Sequence, residues 1–149
     1  MGADKLFLEV AGLPVVGHTW RRFDEHPEID EVVLVIRENA RAEFEALAKQ
    51  LSPTKPHCFV EGGEERQDSV GNGLAAVNPD CQFVAIQDGA RPCTSENAIT
   101  ATLTAARETG AAVTAAKVID TLKEADGIDR IARNVDRTHL WAGQTPQIF

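Results

Sequence analysis

The chain has 149 residues, 43% of them apolar and 26% charged, with a formal net charge of −8. That length and balance suit one soluble domain with a buried core. The acidic excess argues against a nucleic-acid binder, which normally carries a basic footprint, yet it is compatible with a locally basic nucleotide site.

No apolar run approaches membrane-spanning length, and no signal-peptide pattern opens the sequence. Cys58, Cys81 and Cys93 are odd in number and lack metal-site spacing, so they are read as small buried or half-buried thiols, reduced in a cytoplasmic protein.

In chain order, Lys5 precedes the apolar segment Leu6–Val10, and residues 11–14 (Ala-Gly-Leu-Pro) make a turn. Pro14 to Glu25 has helical periodicity, with Val15, Val16, Thr19, Trp20 and Phe23 on the apolar side. Trp20 reads as a core anchor, His18 as a satisfied helix residue, and His26-Pro27 as the stop. Glu31–Ile36 is a nearly continuous apolar strand, Asn39–Leu51 a second amphipathic helix carrying Phe44, Leu47 and Leu51, and His57–Val60 a third strand. Alternating helices and strands predict an α/β fold with a mostly parallel, helix-covered sheet.

Residues 61–70 (Glu-Gly-Gly-Glu-Glu-Arg-Gln-Asp-Ser-Val) leave that strand through two glycines and enter a helix running to about Val77. Glycines at such a turn admit a ligand to the backbone, and a helix N-terminus favours negative charge. Ser69 offers a hydroxyl to phosphate or sugar. The acids Glu61, Glu64, Glu65 and Asp68 suit contacts to base or ribose better than to phosphate. The Gly-Lys-Ser/Thr ending of a P-loop is absent. Arg66 and Asp68 are read as a local pair.

Phe83–Ile86 is a buried strand ending in Gln87-Asp88-Gly89-Ala90-Arg91-Pro92-Cys93. Ligands of open α/β sheets collect at strand carboxyl ends, where an Asp can hold a divalent cation and an Arg can meet phosphate. The plainer alternative is a strand-to-turn corner in which Asp88 bonds backbone amides. Ser95 caps a helix over Glu96–Thr109 with Ile99, Leu103 and Ala106 inward, and Gly110 ends it. Ala111–Ile119 is another strand, closing in Asp120-Thr121-Leu122-Lys123. Glu124–Arg133, with Gly127, reads as the turn of a hairpin between Val118–Leu122 and Ile131–Val135, projecting as an arm.

Taken as an ordered set, Gly62–Val70, Asp88–Cys93, Asp120–Lys123 and Val135–Phe149 resemble the 2-C-methyl-D-erythritol 4-phosphate cytidylyltransferase family of the non-mevalonate isoprenoid pathway. Each motif is modest alone; their order and spacing are specific, and they span nearly the whole chain. The resemblance implies a Rossmann-like nucleotidyltransferase fold in a single domain over residues 1–149, with an arm at about 118–137. It implies cytidylyl transfer from CTP to methylerythritol phosphate with Mg²⁺ and release of pyrophosphate. By the same resemblance Lys5 is catalytic, stabilising charge at the α-phosphate. Gly63, Glu64, Ser69, Asp88 and Gly89 bind the nucleotide, with Asp88 near the metal. Thr121 and Arg137 hold the alcohol phosphate, and Arg137, also counted as catalytic, acts on a neighbouring subunit's site in a homodimer joined through the arm.

The family also has an upstream Gly-rich loop with a catalytic Arg, of which Met1-Gly2 resembles the tail, and a downstream segment with a second metal-binding Asp and a substrate-binding Lys. The chain is therefore expected to be a piece of a longer protein that by itself binds CTP poorly and turns over little. Gly89 and Gln87 stand where the family often has Ala and His. Two alternatives stay open. One is a ribitol 5-phosphate cytidylyltransferase, against which residues 91–93 and 120–123 lean. The other is a non-catalytic oligomerising module of the same fold, which the retention of Lys5, Asp88, Thr121 and Arg137 opposes.

Overall fold

The structure is a computed structural model that describes residues 5–149. The expectation for Met1-Gly2 lies outside the described residues. Lys5–Phe7 form a 3₁₀ turn, followed by the short antiparallel pair β1 (Glu9–Val10) and β2 (Leu13–Pro14). The turn between them uses positive φ at Ala11 and Gly12. Helix α1 (Val15–Asp24) starts after Pro14, whose φ of −57° is preset for entry into a helix. It buries Val16, Thr19, Trp20 and Phe23, the 3.6-residue stripe expected from the sequence. Trp20 is 3% exposed and is the core anchor of its cluster.

Strand β3 (Val32–Ile36), helix α2 (Arg41–Leu51) and strand β4 (His57–Glu61) form a parallel crossover, paired from Val32↔His57 to Ile36↔Glu61. The α2 face carrying Phe44 and Leu47 packs with Leu13, Val16, Trp20 and Ile36. Side chains alternate along β4, which sends Phe59 into this cluster and leaves Cys58 outside. All three cysteines are exposed thiols, not the buried or half-buried ones expected. Partial burial, helped by the charge of Glu31, pushes the Cys58 thiol above its ordinary pKa.

Helix α3 (Arg66–Ala75) follows β4, and strand β5 (Ala85–Ile86) precedes helix α4 (Glu96–Thr109). Ser95 Oγ accepts the Ala98 amide at 3.1 Å, and Gly110 closes α4 in the left-handed conformation at φ +88°. Ile99 and Ala106 are wholly buried. Each large side chain buried in this way contributes about 1.5–3 kcal/mol of apolar transfer.

Strand β6 (Ala112–Lys117), strands β7 (Lys123–Ala125) and β8 (Ile131–Asn134), and strand β9 (Trp141–Ile148) complete the chain. β9 lies between β5 and β6 and runs antiparallel to both, so β5 and β6 run parallel to one another. The α/β class agrees with expectation. The described strands form four separate sheets, however, in which β3–β4 is the parallel pair and the other pairs are antiparallel. Strand β9 was not foreseen: Gly143, Gln144 and Pro146 interrupt the apolar alternation by which strands are recognised.

The hairpin is present, with its first strand later than expected and its second, Ile131–Asn134, where it was expected. β7 begins at Lys123, and Glu124 and Arg133, read as turn residues, are ladder partners joined by an ion pair. The turn itself uses Gly127 at φ +91° and Asp129 at φ +58°. Every residue of β7 and β8 is exposed, as are Ile128 and Ile131 at 78% and 67%.

Candidate functional site

The turn after β4 is built by close backbone approach. The Gly62 amide donates to the Ile36 carbonyl at 2.8 Å, fixing the turn to the carboxyl end of β3. A Cβ on Gly63 would stand 2.2 Å from the Asp68 Cβ, so no side chain fits there. The Gly63 amide donates to Ser69 Oγ at 3.1 Å, and the Glu65 amide to Asp68 Oδ2 at 3.1 Å. The first turn of α3 is thus capped by its own side chains, which gives Asp68 a structural task. Asp68 is not the partner of Arg66, contrary to the sequence reading. Glu64 is exposed on the same turn.

Arg66 instead crosses to the second segment. Its Nη2 lies 3.4 Å from Asp88 Oδ1, and Arg91 Nε lies 3.0 Å from Asp88 Oδ2. Each carboxylate oxygen of Asp88 therefore faces its own guanidinium, rather than the backbone amides of a plain corner. Arg91 also donates through Nη1 to Gln144 Oε1 on β9. The Asp88 amide donates to Thr145 Oγ1 at 3.3 Å, and Thr19 Oγ1 of α1 donates to the Gly89 carbonyl at 2.8 Å. Gln87 Nε2 donates to the carbonyls of Asp88 and Arg91 and to Thr94 Oγ1, while its buried Oε1 has no partner among the described residues. The 87–94 loop is held from α1, from β9 and from within.

Gly89 does not use the left-handed freedom of its residue type. A Cβ there would meet Val16 and Leu6 at 3.4 and 3.5 Å, ordinary contact distances. Leu6 follows Lys5, so the exposed Lys5 begins the segment that packs beside Gly89.

Arg66, Ser69, Asp88 and Gly89 are among the residues that line one cavity of about 900 Å³, together with side chains of β3 and the β5 region such as Val33, Val35, Phe83 and Ile86. Among the described residues no cluster of three or more His, Cys, Asp or Glu side chains forms a metal cage. The carboxylate of Asp88 still fits a hard cation of the Mg²⁺ kind, which binds through one or two carboxylates and completes its shell with water and ligand phosphates.

Arg137 Nη1 donates to the carbonyl of Ile119, two residues before the exposed Thr121, at the base of the hairpin. The hydroxyl and amide of Thr138 hold the neighbouring Asp136 carboxyl below its ordinary range. The structure thus gathers the candidate residues into two groups: Gly63, Ser69, Asp88 and Gly89, with Leu6 bringing the Lys5 segment alongside, and Thr121 with Arg137. No hydrogen bond or ion pair among the described residues joins the groups. Arg66, Gln144 and Thr145 were missed as site residues. For Arg66 the signal was its position as the first helical residue after a Gly-Gly turn; for the other two it was their place after the Trp141 segment, at a strand the sequence did not reveal.

A family model described as 2-C-methyl-D-erythritol 4-phosphate cytidylyltransferase matches residues 1–149. A protein of that name from Bacillus velezensis is 42% identical over 148 residues, which cover 99% of this chain and 63% of that relative. One from Pelotomaculum thermopropionicum is 43% identical over 146 residues, covering 97% of this chain and 61% of the relative. Among solved structures, a 4-diphosphocytidyl-2C-methyl-D-erythritol synthase from Anaerococcus prevotii superposes with a TM-score of 0.88 at 32% identity, over 97% of this chain and 65% of that one. The Thermus thermophilus 2-C-methyl-D-erythritol 4-phosphate cytidylyltransferase superposes with a TM-score of 0.77 at 32% identity, over 99% of this chain and 66% of that one. The chain spans a little under two thirds of the length of the curated relatives described here.

Proposed function

The chain belongs to the 2-C-methyl-D-erythritol 4-phosphate cytidylyltransferase family, and we propose that it serves cytidylyl transfer from CTP to 2-C-methyl-D-erythritol 4-phosphate. The observation that carries the reading is the reach of Arg66 to Asp88, which joins the Gly62–Ser69 turn and the Asp88–Gly89 loop at one rim. Those are the two segments that the family assigns to the nucleotide. The fold proposed for the whole is a Rossmann-like nucleotidyltransferase in one domain, supported by the β3–α2–β4 crossover.

In the proposed reaction a phosphate oxygen of the alcohol phosphate bonds to the α-phosphorus of CTP. The bond from that phosphorus to the bridging oxygen of the leaving pyrophosphate breaks. Two anions must be brought together, so cations and rigid positioning matter more than a general base. Lys5 would meet charge developing at the α-phosphate. Gly63, Glu64 and Ser69 would hold the cytidine end, and Asp88 with Gly89 the ribose and metal side. A Mg²⁺ ion at Asp88, when bound, supplies charge neutralisation between phosphate oxygens. Thr121 and Arg137 would hold the alcohol phosphate, with the hairpin reaching a second copy of the chain in a cytoplasmic homodimer. The largely exposed isoleucines of the hairpin, Ile128 and Ile131, support that partner reading.

The test is pyrophosphate release with CTP and Mg²⁺. It is run on this chain and on a chimera carrying residues 1–149 within the full length of the Bacillus velezensis relative. Methylerythritol phosphate is the expected acceptor. Faster turnover of ribitol 5-phosphate by the chimera would assign the other alcohol, and a folded chimera inactive with both would overturn the transferase reading.

A further inference from the structure

The two guanidinium groups on Asp88 are not equivalent. Arg91 approaches at 3.0 Å, is 43% exposed and is held from a second side by Gln144. Arg66 approaches at 3.4 Å, is 58% exposed, and Asp88 is the one polar partner of its guanidinium among the described residues. Two of the three acids near it in sequence are engaged elsewhere, and no ion pair joins it to the third, Glu64, among the described residues. Asp68 is taken by the Glu65 amide, and the Glu65 carboxylate by Gln67. Arg91 is therefore a fixed partner of the carboxylate and Arg66 a detachable one.

A divalent cation bound to Asp88 Oδ1 would lie against the Arg66 guanidinium, and the two like charges would repel each other across that oxygen. That repulsion favours release of the less tethered group. A released Arg66 stays at the first residue of α3, on the rim of the same cavity, where its planar fork matches phosphate oxygens. The capping of α3 does not depend on it, so its release leaves the helix intact.

We infer that Arg66 is a charge-exchanging residue of the nucleotide site: it is the counter-ion of Asp88 until a divalent cation takes that carboxylate, and then pairs with phosphate oxygens of the nucleotide. This rests on the proposed placement of cation and nucleotide at Asp88. It makes Arg66 a residue that both delays cation binding and strengthens nucleotide binding, which a merely structural ion pair does not do.

The test uses the full-length chimera that carries residues 1–149, labelled with ¹⁵N. Mn²⁺ is titrated in without nucleotide, and paramagnetic broadening of the Gly89 amide is followed in wild type, Arg66→Met, Arg66→Lys and Asp88→Asn. Arg66→Met should need at least about three-fold less Mn²⁺ for half-broadening, the scale of a lost half-exposed ion-pair competitor. Arg66→Lys should stay close to wild type, since it keeps the competing charge. Asp88→Asn should remove the broadening. In a second titration, CTP with Mg²⁺ should bind Arg66→Met about ten-fold more weakly, through loss of a charge-assisted contact. If Asp88→Asn removes the broadening while Arg66→Met matches wild type towards Mn²⁺ or towards CTP, the exchange is refuted and Asp88 keeps its cation. If Asp88→Asn leaves the broadening unchanged, the cation placement fails and the inference fails with it.

Discussion

The Cβ that Gly63 lacks would stand 2.2 Å from the Asp68 Cβ, well inside any permitted contact, and neither side of that clash can swing away. Gly89, in the other half of the site, has only ordinary contacts around its missing Cβ. Gly63→Ala should therefore destabilise the chain by about 1–3 kcal/mol, as over-packing does, and open the first turn of α3. Gly89→Ala should stay within about 0.5 kcal/mol of wild type. Urea unfolding of the two variants checks the contrast, and equal stabilities would contradict the packing described at the Gly62–Ser69 turn.

Asp24 ends α1 and gathers the loop before β4. Its carboxylate accepts the Thr54 amide at 2.9 Å, the Lys55 amide at 3.0 Å and the Thr54 hydroxyl at 3.2 Å. Burial alone would raise its pKa, but those hydrogen bonds and the charge of Lys55 outweigh it and hold the carboxyl below its ordinary 3.8. A folded-state value below the unfolded one gives stability that is complete above 3.8 and lost as pH falls through the folded value. Asp24→Asn should cost about 1–3 kcal/mol at neutral pH. The gap between the two urea midpoints should close under strong acid. A gap that is the same at both pH values would show that the charge of Asp24 contributes nothing.

Arg137 lies at the base of the hairpin with one nitrogen on the Ile119 carbonyl, leaving the rest of its fork exposed near Thr121. In the active chimera, Arg137→Ala should raise the KM for the alcohol phosphate about ten-fold through loss of a charge-assisted phosphate contact. The KM for CTP should change little. Steady-state kinetics with each substrate varied in turn separates the two, and an effect confined to CTP would move Arg137 to the other half of the site.

The hairpin exposes Ile128 and Ile131 almost fully, a poor arrangement for a lone chain. If it reaches a second copy, Ile128→Asp with Ile131→Asp should shift sedimentation from dimer to monomer. The unfolding midpoint of the body should barely change, because neither residue belongs to a core cluster. A dimer that persists in the double variant would count against the arm as its contact.

Helices α1, α2 and α4 and strands β3 and β4 were legible because each carries a local apolar period and a local stop, such as Pro14, His26-Pro27 or Gly110. Strand β9 carries no such period. Thr145 is buried with its hydroxyl on the Asp88 amide, and the half-buried Gln144 is met by Arg91, so these polar residues are explained by partners more than fifty positions away. Arg66 illustrates the same limit. Its sequence neighbours include three acids, which made a local pair the natural reading, whereas the fold had already assigned Asp68 to the helix cap and brought Asp88 into reach. Residue types and turn chemistry located the two site segments; their meeting depends on long-range pairing that no local window contains.

Titration of the ¹⁵N-labelled full-length chimera with CTP in the presence of Mg²⁺ tests most directly whether the Gly62–Ser69 turn and the Asp88–Gly89 loop form one nucleotide site. The account predicts that the amides of Gly62, Gly63, Ser69, Asp88 and Gly89 shift together along a single saturation curve, and that Asp88→Asn weakens the whole set. Shifts confined to one segment, or two segments saturating at different CTP concentrations, would contradict it.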